Sequence, residues 1–264
     1  MDLQLSNKTA FVSGSTAGIG FSIAKQLAAE GAKVIINGRT TERIDAAVSE
    51  IKSGTGNPNV SGIKADFSKP EEITGLISEL PEVDILVNSF SIFEPKPFTD
   101  ITDDDWLKFH SMNIMSGVRL SRAYIGGMLK RNSGRIIFVS SESGVFIPEE
   151  MIHYGVTKTA QIALARGLAE MTKGTSVTVN SVLPGPTLSE GVGNFVEQLA
   201  IDQQITTEKV KEEFFKSMRP TSLIQRFLQP EEIANMVAYL ASPKASATNG
   251  AAIRVDGGLV KSVI

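Results

Sequence analysis

The chain has 264 residues, 42% hydrophobic and 21% charged, and its 26 Lys+Arg against 29 Asp+Glu leave a formal charge of −3. That balance excludes a disordered chain, and a pI near 5.6 without any Lys/Arg run leaves no footprint for a nucleic-acid backbone. There is no cysteine, which removes disulfides, thiolate metal sites and cysteine nucleophiles together.

The elements follow in chain order. Met1–Lys8 has no basic region ahead of a long apolar run, so it does not read as a signal peptide. Thr9–Val12 reads as a strand, Gly18–Glu30 as a helix ended by Gly31, Lys33–Asn37 as a strand and Thr41–Lys52 as a helix. Beyond the Gly/Asn/Pro loop at 54–59 come a strand at Val60–Ala65, a helix at Glu71–Leu80 and a strand at Val83–Val87. Asp103–Arg131 is one long helical stretch, opened by acids that suit a helix N-terminus. Arg135–Val139 reads as a strand, Ile152–Met171 as a helix and Ser176–Val182 as a strand. After Pro184-Gly185-Pro186 runs a polar and aromatic stretch to Phe227, then a helix from Pro230 to Leu240 and a last strand at Ala252–Val255.

This alternation predicts an α/β fold, a parallel sheet with helices on both faces. Val34–Ile36 and Ile85–Val87 are continuously apolar, as strands buried on both sides should be. No linker or repeat interrupts the pattern, so residues 1–264 read as one domain. The apolar runs fall short of the ~20 residues that span a bilayer, which predicts a soluble, cytoplasmic protein without membrane or nucleic-acid partners. His110 and His153 stand far apart with no carboxylate cluster around them, so no metal site is expected. Ligands should bind beyond the strand ends, after Val12, Asn37, Ala65, Val87, Val139 and Val182.

The first of these loops is Ser13-Gly14-Ser15-Thr16-Ala17-Gly18-Ile19-Gly20. Glycines there allow a sharp turn and let a pyrophosphate approach the helix N-terminus, where free N–H groups and the dipole favour an anion. A tight turn that binds nothing would look alike, but its place on the first βα unit favours a dinucleotide. The spacing Gly-x-x-x-Gly-x-Gly resembles the short-chain dehydrogenase/reductase family. So do Asp84–Asn88, Tyr154-Gly155-Val156-Thr157-Lys158, Asn180–Gly185 and Val255-Asp256-Gly257-Gly258, in that order along nearly the whole chain. The chain resembles in particular the 3-oxoacyl-[acyl-carrier-protein] reductase-like members of that family. The resemblance implies a Rossmann-type doubly wound parallel sheet of about seven strands in the order 3-2-1-4-5-6-7.

Hydride addition to a carbonyl leaves an alkoxide that must take a proton, and a tyrosine supplies it best with its pKa pulled down from ~10. Tyr154 and Lys158 lie four apart on a predicted helix and share a face, so the lysine and an oxidised nicotinamide would favour the phenolate. The lysine could also hold the nicotinamide ribose. The resemblance implies that Ser141, 13 residues before Tyr154, holds the substrate oxygen, with Ser140 its neighbouring competitor. It implies that Asn113 distorts its helix and holds a water relaying protons to Lys158. It also puts Gly14, Ser15, Thr16, Gly18, Ile19, Gly20, Asp66, Phe67, Asn88, Pro184, Gly185, Thr187 and Ser189 against the cofactor, with Asp66 receiving the adenine amino group.

An NAD enzyme usually ends its second strand with an acid that accepts the ribose hydroxyls. Gly38 stands there, and Arg39 follows, able to stack on adenine and fork onto a 2′-phosphate. NADP(H) is therefore favoured and NAD(H) stays open, since no basic residue lies between Gly14 and Gly18. The chain departs from the family at Asn88-Ser89-Phe90-Ser91, where Asn-Asn-Ala-Gly is usual; the new side chains either turn outward or narrow the pocket. Ser189 replaces a frequent threonine. Residues 190–227 correspond to the substrate cap. There Phe195, Leu199, Phe214, Phe215, Met218 and Phe227 either suit an apolar-bodied carbonyl or pack the lid itself. Phe90, Phe93, Met151 and Ile152 are further pocket candidates, and His153 is expected to pack or face water. The family's habit implies a homo-oligomer, tetramer or dimer. The leading expectation is an NADP-dependent oxidoreductase acting on a small-molecule carbonyl or secondary alcohol. The alternative is a non-catalytic dinucleotide-binding sensor or scaffold; a methyltransferase has no use for the Tyr154/Lys158 pair.

Overall fold

The strands carry apolar side chains on both faces, and that doubling sets the architecture. In the computed structural model, which describes residues 2–263 apart from the side chain of Phe195, all seven strands of the sheet are parallel. They are β1 (Thr9–Val12), β2 (Lys33–Gly38), β3 (Val60–Lys64), β4 (Ile85–Asn88), β5 (Gly134–Val139), β6 (Val177–Pro184) and β7 (Ala252–Val255). Their order is β3-β2-β1-β4-β5-β6-β7, as the resemblance implied.

Period-two alternation splits the strand residues between two cores. Val12, Val34, Ile36, Val87 and Val139 face α1 (Gly18–Ala29), α2 (Thr41–Thr55) and α9 (Pro230–Ala241). Phe11, Ile35, Leu86, Ile136 and Phe138 face α3 (Pro70–Glu79), α5 (Ser116–Lys130) and α6 (Ile152–Glu170). Each fully buried large aliphatic or Phe side chain contributes about 1.5–3 kcal/mol relative to exposure. Local signals start the helices where the cores need them. Thr40 caps α2 by accepting from the Arg43 N–H, and Pro70 opens α3. Thr102 and Asp105 form a reciprocal capping box on α4 (Asp103–Phe109).

Four places differ from the sequence-based expectation. The long stretch expected at Asp103–Arg131 is α4, a π-helical turn at His110–Met115, then α5, the turn falling where the resemblance implied a distortion at Asn113. The wide turn carries Asn113, whose inward side chain bonds main chain outside the helix. The stretch after Pro186 contains two helices, α7 (Glu190–Gln203) and α8 (Thr207–Ser217). β4 begins at Ile85 rather than Val83, while β6 runs two residues further, to Pro184.

β1 lies between β2 and β4, so the winding direction reverses beside it and opens a crevice at the carboxyl edge. Gly20 lets α1 approach that edge: a Cβ there would lie 2.4 Å from the Gly14 carbonyl oxygen. Gly20→Ala gains up to ~1 kcal/mol of helix propensity but forces backbone apart, and a net loss of about 1–3 kcal/mol is expected in urea denaturation.

Candidate active site

The turn after β1 is fastened before any ligand arrives. Gly14 and Gly18 take left-handed φ values of 61° and 58°. Ser15 is committed to the scaffold: its hydroxyl donates to the Val12 carbonyl (2.6 Å) and accepts from the Asn37 N–H (2.9 Å). Its own N–H donates to the Asn37 carbonyl. Asn37 in turn donates to the carbonyls of Ile63 and Ala65, tying β1, β2 and β3 together. Ser13 Oγ accepts from the N–H groups of Ser89 and Phe90, which fixes the loop after β4.

Ala17 occupies the N-cap of α1, with no side-chain cap and no acid in the first turn. The helix N-terminus thus keeps its free N–H groups and positive end for an anion, and Gly18, Ile19 and Gly20 line the crevice there. This is the cradle a pyrophosphate fits. At the end of β2, a Cβ on Gly38 would meet Thr16 Cγ2 at 2.5 Å and Ile44 Cγ1 at 3.1 Å, so an acidic side chain has no room as the chain is packed. Arg39 beside it is exposed. Asp66 is held below the usual carboxylate range, chiefly by the Ser68 N–H, with Lys69 and Arg39 adding smaller effects.

A crevice of about 540 Å³ collects Gly18, Ser141, Tyr154, Lys158, Gly185 and Ser189, within the ~300–1,000 Å³ common for ligand sites. Gly14, Pro184 and Thr187 also reach it. Phe67, Asn88 and Asn113 are buried behind it. Phe67 packs edge-on against Phe90, ring centroids 5.0 Å apart, so Phe90 turns into the core rather than narrowing the pocket. Asn88 donates to Ser121 Oγ and ties β4 to α5. Thr187 donates to the Gly185 carbonyl, and Ser189 caps α7.

The two serines after β5 both border the crevice but differ in their hydrogen bonds. Ser140 donates to the Lys158 carbonyl (2.8 Å), while Ser141 lies 2.5 Å from Glu142 Oε2. Behind them Lys158 is 2% exposed, its Nζ 5.5 Å from the Tyr154 ring centroid. The ammonium donates to the Val139 carbonyl (3.1 Å) and to Gln161 Oε1 (3.2 Å). Gln161 Nε2 then donates to the Asn113 carbonyl (2.6 Å). The Asn113 side chain clamps the N–H and C=O of Ile92 and donates to Thr157. The resemblance implied a water between Asn113 and Lys158; here an amide spans that path.

One electrostatic expectation is corrected. The protein's own groups do not pull Tyr154 down: burial pushes it up, the Glu142 charge adds to this, and the Ser141 hydrogen bond opposes. Burial drops Lys158 to about 7, against the raising effect of Glu142. The phenol therefore keeps its proton at neutral pH, while the lysine titrates close to it.

Glu142, Gln161 and the Arg219–Glu150 pair (2.9 Å) were missed by sequence reasoning. Two had a signal: an acid directly after a serine at a strand end, and an amide one helical turn beyond Lys158. Phe214, Met218 and Phe227 line the crevice, whereas Leu199 and Phe215 pack within the lid. The side chain of Phe195 lies outside the described residues. Phe93 sits edge-on to Tyr154 at 6.4 Å, and Met151 lines the crevice, while Ile152 is half-buried beside it. His153 is fully buried against Phe109 and Trp106, so it packs.

Gln161→Leu would strip a partner from Lys158 and from the Asn113 carbonyl, with an expected loss of about 1–3 kcal/mol in urea denaturation. Lys158 has a second consequence. Between pH 7 and 10.5 the unfolded chain keeps a proton on it that the native chain has lost, so this lysine makes stability rise with pH across that window. Denaturation at pH 7 and pH 9 should show a smaller rise in Lys158→Met than in the wild type.

Residues 14–260 match the family model described as Enoyl-(Acyl carrier protein) reductase. The chain is 48% identical over 263 residues to the oxidoreductase YvaG of Bacillus subtilis, covering 100% of both chains. It is 34% identical to the D-beta-hydroxybutyrate dehydrogenase of Cupriavidus necator, covering 97% of this chain and 99% of the other. L-sorbose reductase from Gluconobacter frateurii, solved with NADPH and L-sorbose, superposes with a TM-score of 0.94 at 29% identity, covering 100% of both chains. No helix among the described residues is long and apolar enough to cross a membrane. With its parallel sheet, glycine turn and Tyr-x-x-x-Lys pair, the chain belongs to the short-chain dehydrogenase/reductase family, NAD(P)-dependent oxidoreductases acting on CH–OH and C=O groups.

Proposed function

We propose that this protein is an NADPH-preferring oxidoreductase that interconverts a ketone and a secondary alcohol, with Tyr154 as general acid and base. The observation that carries this is the convergence of Ser141 and Tyr154 on one wall of the crevice, with the Lys158 ammonium buried behind them. When bound, the nicotinamide supplies or accepts the hydride. Ser141 and Tyr154 hold the substrate oxygen between two hydroxyls, and stabilise the charge that gathers on it. Tyr154, holding its proton at neutral pH, delivers it to that oxygen in reduction and recovers it in oxidation. Lys158 steadies the phenolate left behind, and Asn113 positions the lysine through Gln161.

Along the cofactor, Gly14, Gly18, Ile19 and Gly20 receive the pyrophosphate at the α1 N-terminus, with Ser15 and Thr16 shaping the turn. Asp66 and the main chain of Phe67 take the adenine, and Asn88 keeps the ribose loop in place. Pro184, Gly185, Thr187 and Ser189 border the nicotinamide. Arg39 takes the 2′-phosphate, a reading supported by its exposure, by the packed space at Gly38 and by the NADPH in the L-sorbose reductase structure. Residues 1–264 then form one NAD(P)-binding domain whose segment 190–227 caps the substrate, working as a soluble cytoplasmic homo-oligomer.

Tyr154→Phe should lower turnover by about 100-fold or more while NADPH binding persists. Retained turnover would remove Tyr154 as the proton donor, and with it the ground for preferring an enzyme to a sensor. Arg39→Asp should weaken NADPH by about 10-fold or more in a fluorescence titration and leave NADH nearly unchanged. Equal losses for both cofactors would count against the phosphate contact.

A further inference from the structure

Beside Ser141 stands an acid that the reading above leaves idle. Glu142 is 5% exposed, lines the crevice and has Oε2 2.5 Å from Ser141 Oγ. It opens the 3-10 turn Glu142–Gly144, where Ser141 Oγ accepts the Ser143 N–H at 3.1 Å. Among the described residues no cation comes within ion-pair distance of it. The nearby guanidinium of Arg219 is held instead by Glu150 and the Met218 carbonyl, each at 2.9 Å. Ser141 and the N–H groups of Glu142 and Ser143 act on the carboxyl from the protein side, and its remaining side is the crevice, where a ligand group can meet it.

The crevice walls narrow the choice of that partner. Three carboxyls, Glu142, Glu150 and Glu190, and two cations, Lys158 and Arg219, line it. Glu190 is paired with Arg43 and Glu150 with Arg219, which leaves Glu142 facing Lys158, so neither an anion nor a cation is favoured. Burial also pushes Glu142 toward its neutral form, with Ser141 and Arg219 opposing. A charged carboxylate accepts only, and the neutral form offers one donor and one acceptor. A hydroxyl matches both, whereas an ammonium matches only the acceptor. Position supplies the rest: one hydrogen bond separates Glu142 from Ser141, the residue that addresses the reacting oxygen. A substrate oxygen on the neighbouring carbon spans that distance.

We propose that Glu142 receives a hydroxyl on the carbon next to the reacting carbonyl, so that the substrates are neutral α-hydroxy ketones and the corresponding vicinal diols. This rests on the reading of the site as an NADPH-dependent carbonyl reductase. In reduction the hydride adds to the carbonyl carbon and the Tyr154 proton goes to its oxygen. The neighbouring hydroxyl stays intact and serves for recognition alone.

The test compares kcat/KM with NADPH for 1-hydroxy-2-hexanone and 2-hexanone, which differ by that one hydroxyl. The hydroxy ketone should be preferred by about 100-fold or more in the wild type, and the ratio should collapse to a few-fold in Glu142→Leu. Glu142→Gln keeps one donor and one acceptor and should retain most of the preference. Should Glu142→Leu lose NADPH binding through misfolding, Glu142→Asp, which withdraws the carboxyl by one methylene, should show the same collapse. Equal kcat/KM for the two ketones in the wild type, or a preference intact in a folded Leu or Asp variant, overturns the proposal. No turnover of either ketone by protein that binds NADPH would count against the reductase reading instead. Calorimetry of 1,2-hexanediol binding to the NADP+-loaded protein then decides: heat lost in the Glu142 variant supports the carboxyl's role, and no heat in the wild type overturns it.

Discussion

The site is organised around one costly group, the ammonium of Lys158, which is 2% exposed. A charge so far from water is tolerated only where fixed dipoles replace its hydration. Here the Val139 carbonyl at the end of β5 and the Gln161 amide supply them. Each support brings its own requirement. Gln161 needs the Asn113 carbonyl, which the π-helical turn presents, and the Asn113 side chain in turn clamps the main chain of Ile92 beside the crevice. A distortion in one helix, an amide on another and a strand end are thus parts of a single hydrogen-bonded frame, and Tyr154 stands against it.

The same frame explains how the two ends of the crevice differ. At the glycine turn the protein leaves backbone N–H groups and a helix dipole uncompensated, which suits an anion. At the substrate end the acids are matched by cations, Glu190 by Arg43 and Glu150 by Arg219, with Glu142 facing Lys158, which suits a neutral, polar group. The lid reinforces that contrast. Its aromatic cluster of Phe214, Phe215 and Phe227 packs internally, while Arg219, over the Phe214 ring, crosses to Glu150 and anchors the lid to the loop before α6. On the outer side an exposed pair, Arg43–Glu190, joins α2 to the first turn of α7, and solvent keeps such a pair worth little.

Much of this was legible in the amino-acid order because it follows from local rules. Apolar runs with turn residues between them gave the strands, helical periodicity gave the helices, and five ordered motifs pointed to the sheet order, to the loops that carry Gly14 and Ser141 and to the helix that carries Tyr154 and Lys158. Less legible were elements whose shape depends on distant partners. The distortion at Asn113 was implied by the resemblance, but its form as a π-helical turn at His110–Met115 was not, since it depends on Ile92 and Thr157 lying within reach of the Asn113 side chain. The lid helices α7 and α8 read as an irregular stretch because their apolar residues serve both their own cluster and the crevice.

The sequence by itself determined the fold, the family and the identity of the groups that meet at the strand ends. Only the tertiary structure decided what surrounds them. Ser140 and Ser141 are the same residue type at adjacent positions just after β5, and the fold gives one hydroxyl to the Lys158 carbonyl on α6 and the other to the Glu142 carboxyl. Phe90 could have blocked the pocket, and its contact with Phe67 takes it into the core. The direction in which Tyr154 is pushed depends on burial and on the charge of Glu142. Both come from packing in three dimensions, and no spacing along the chain records them.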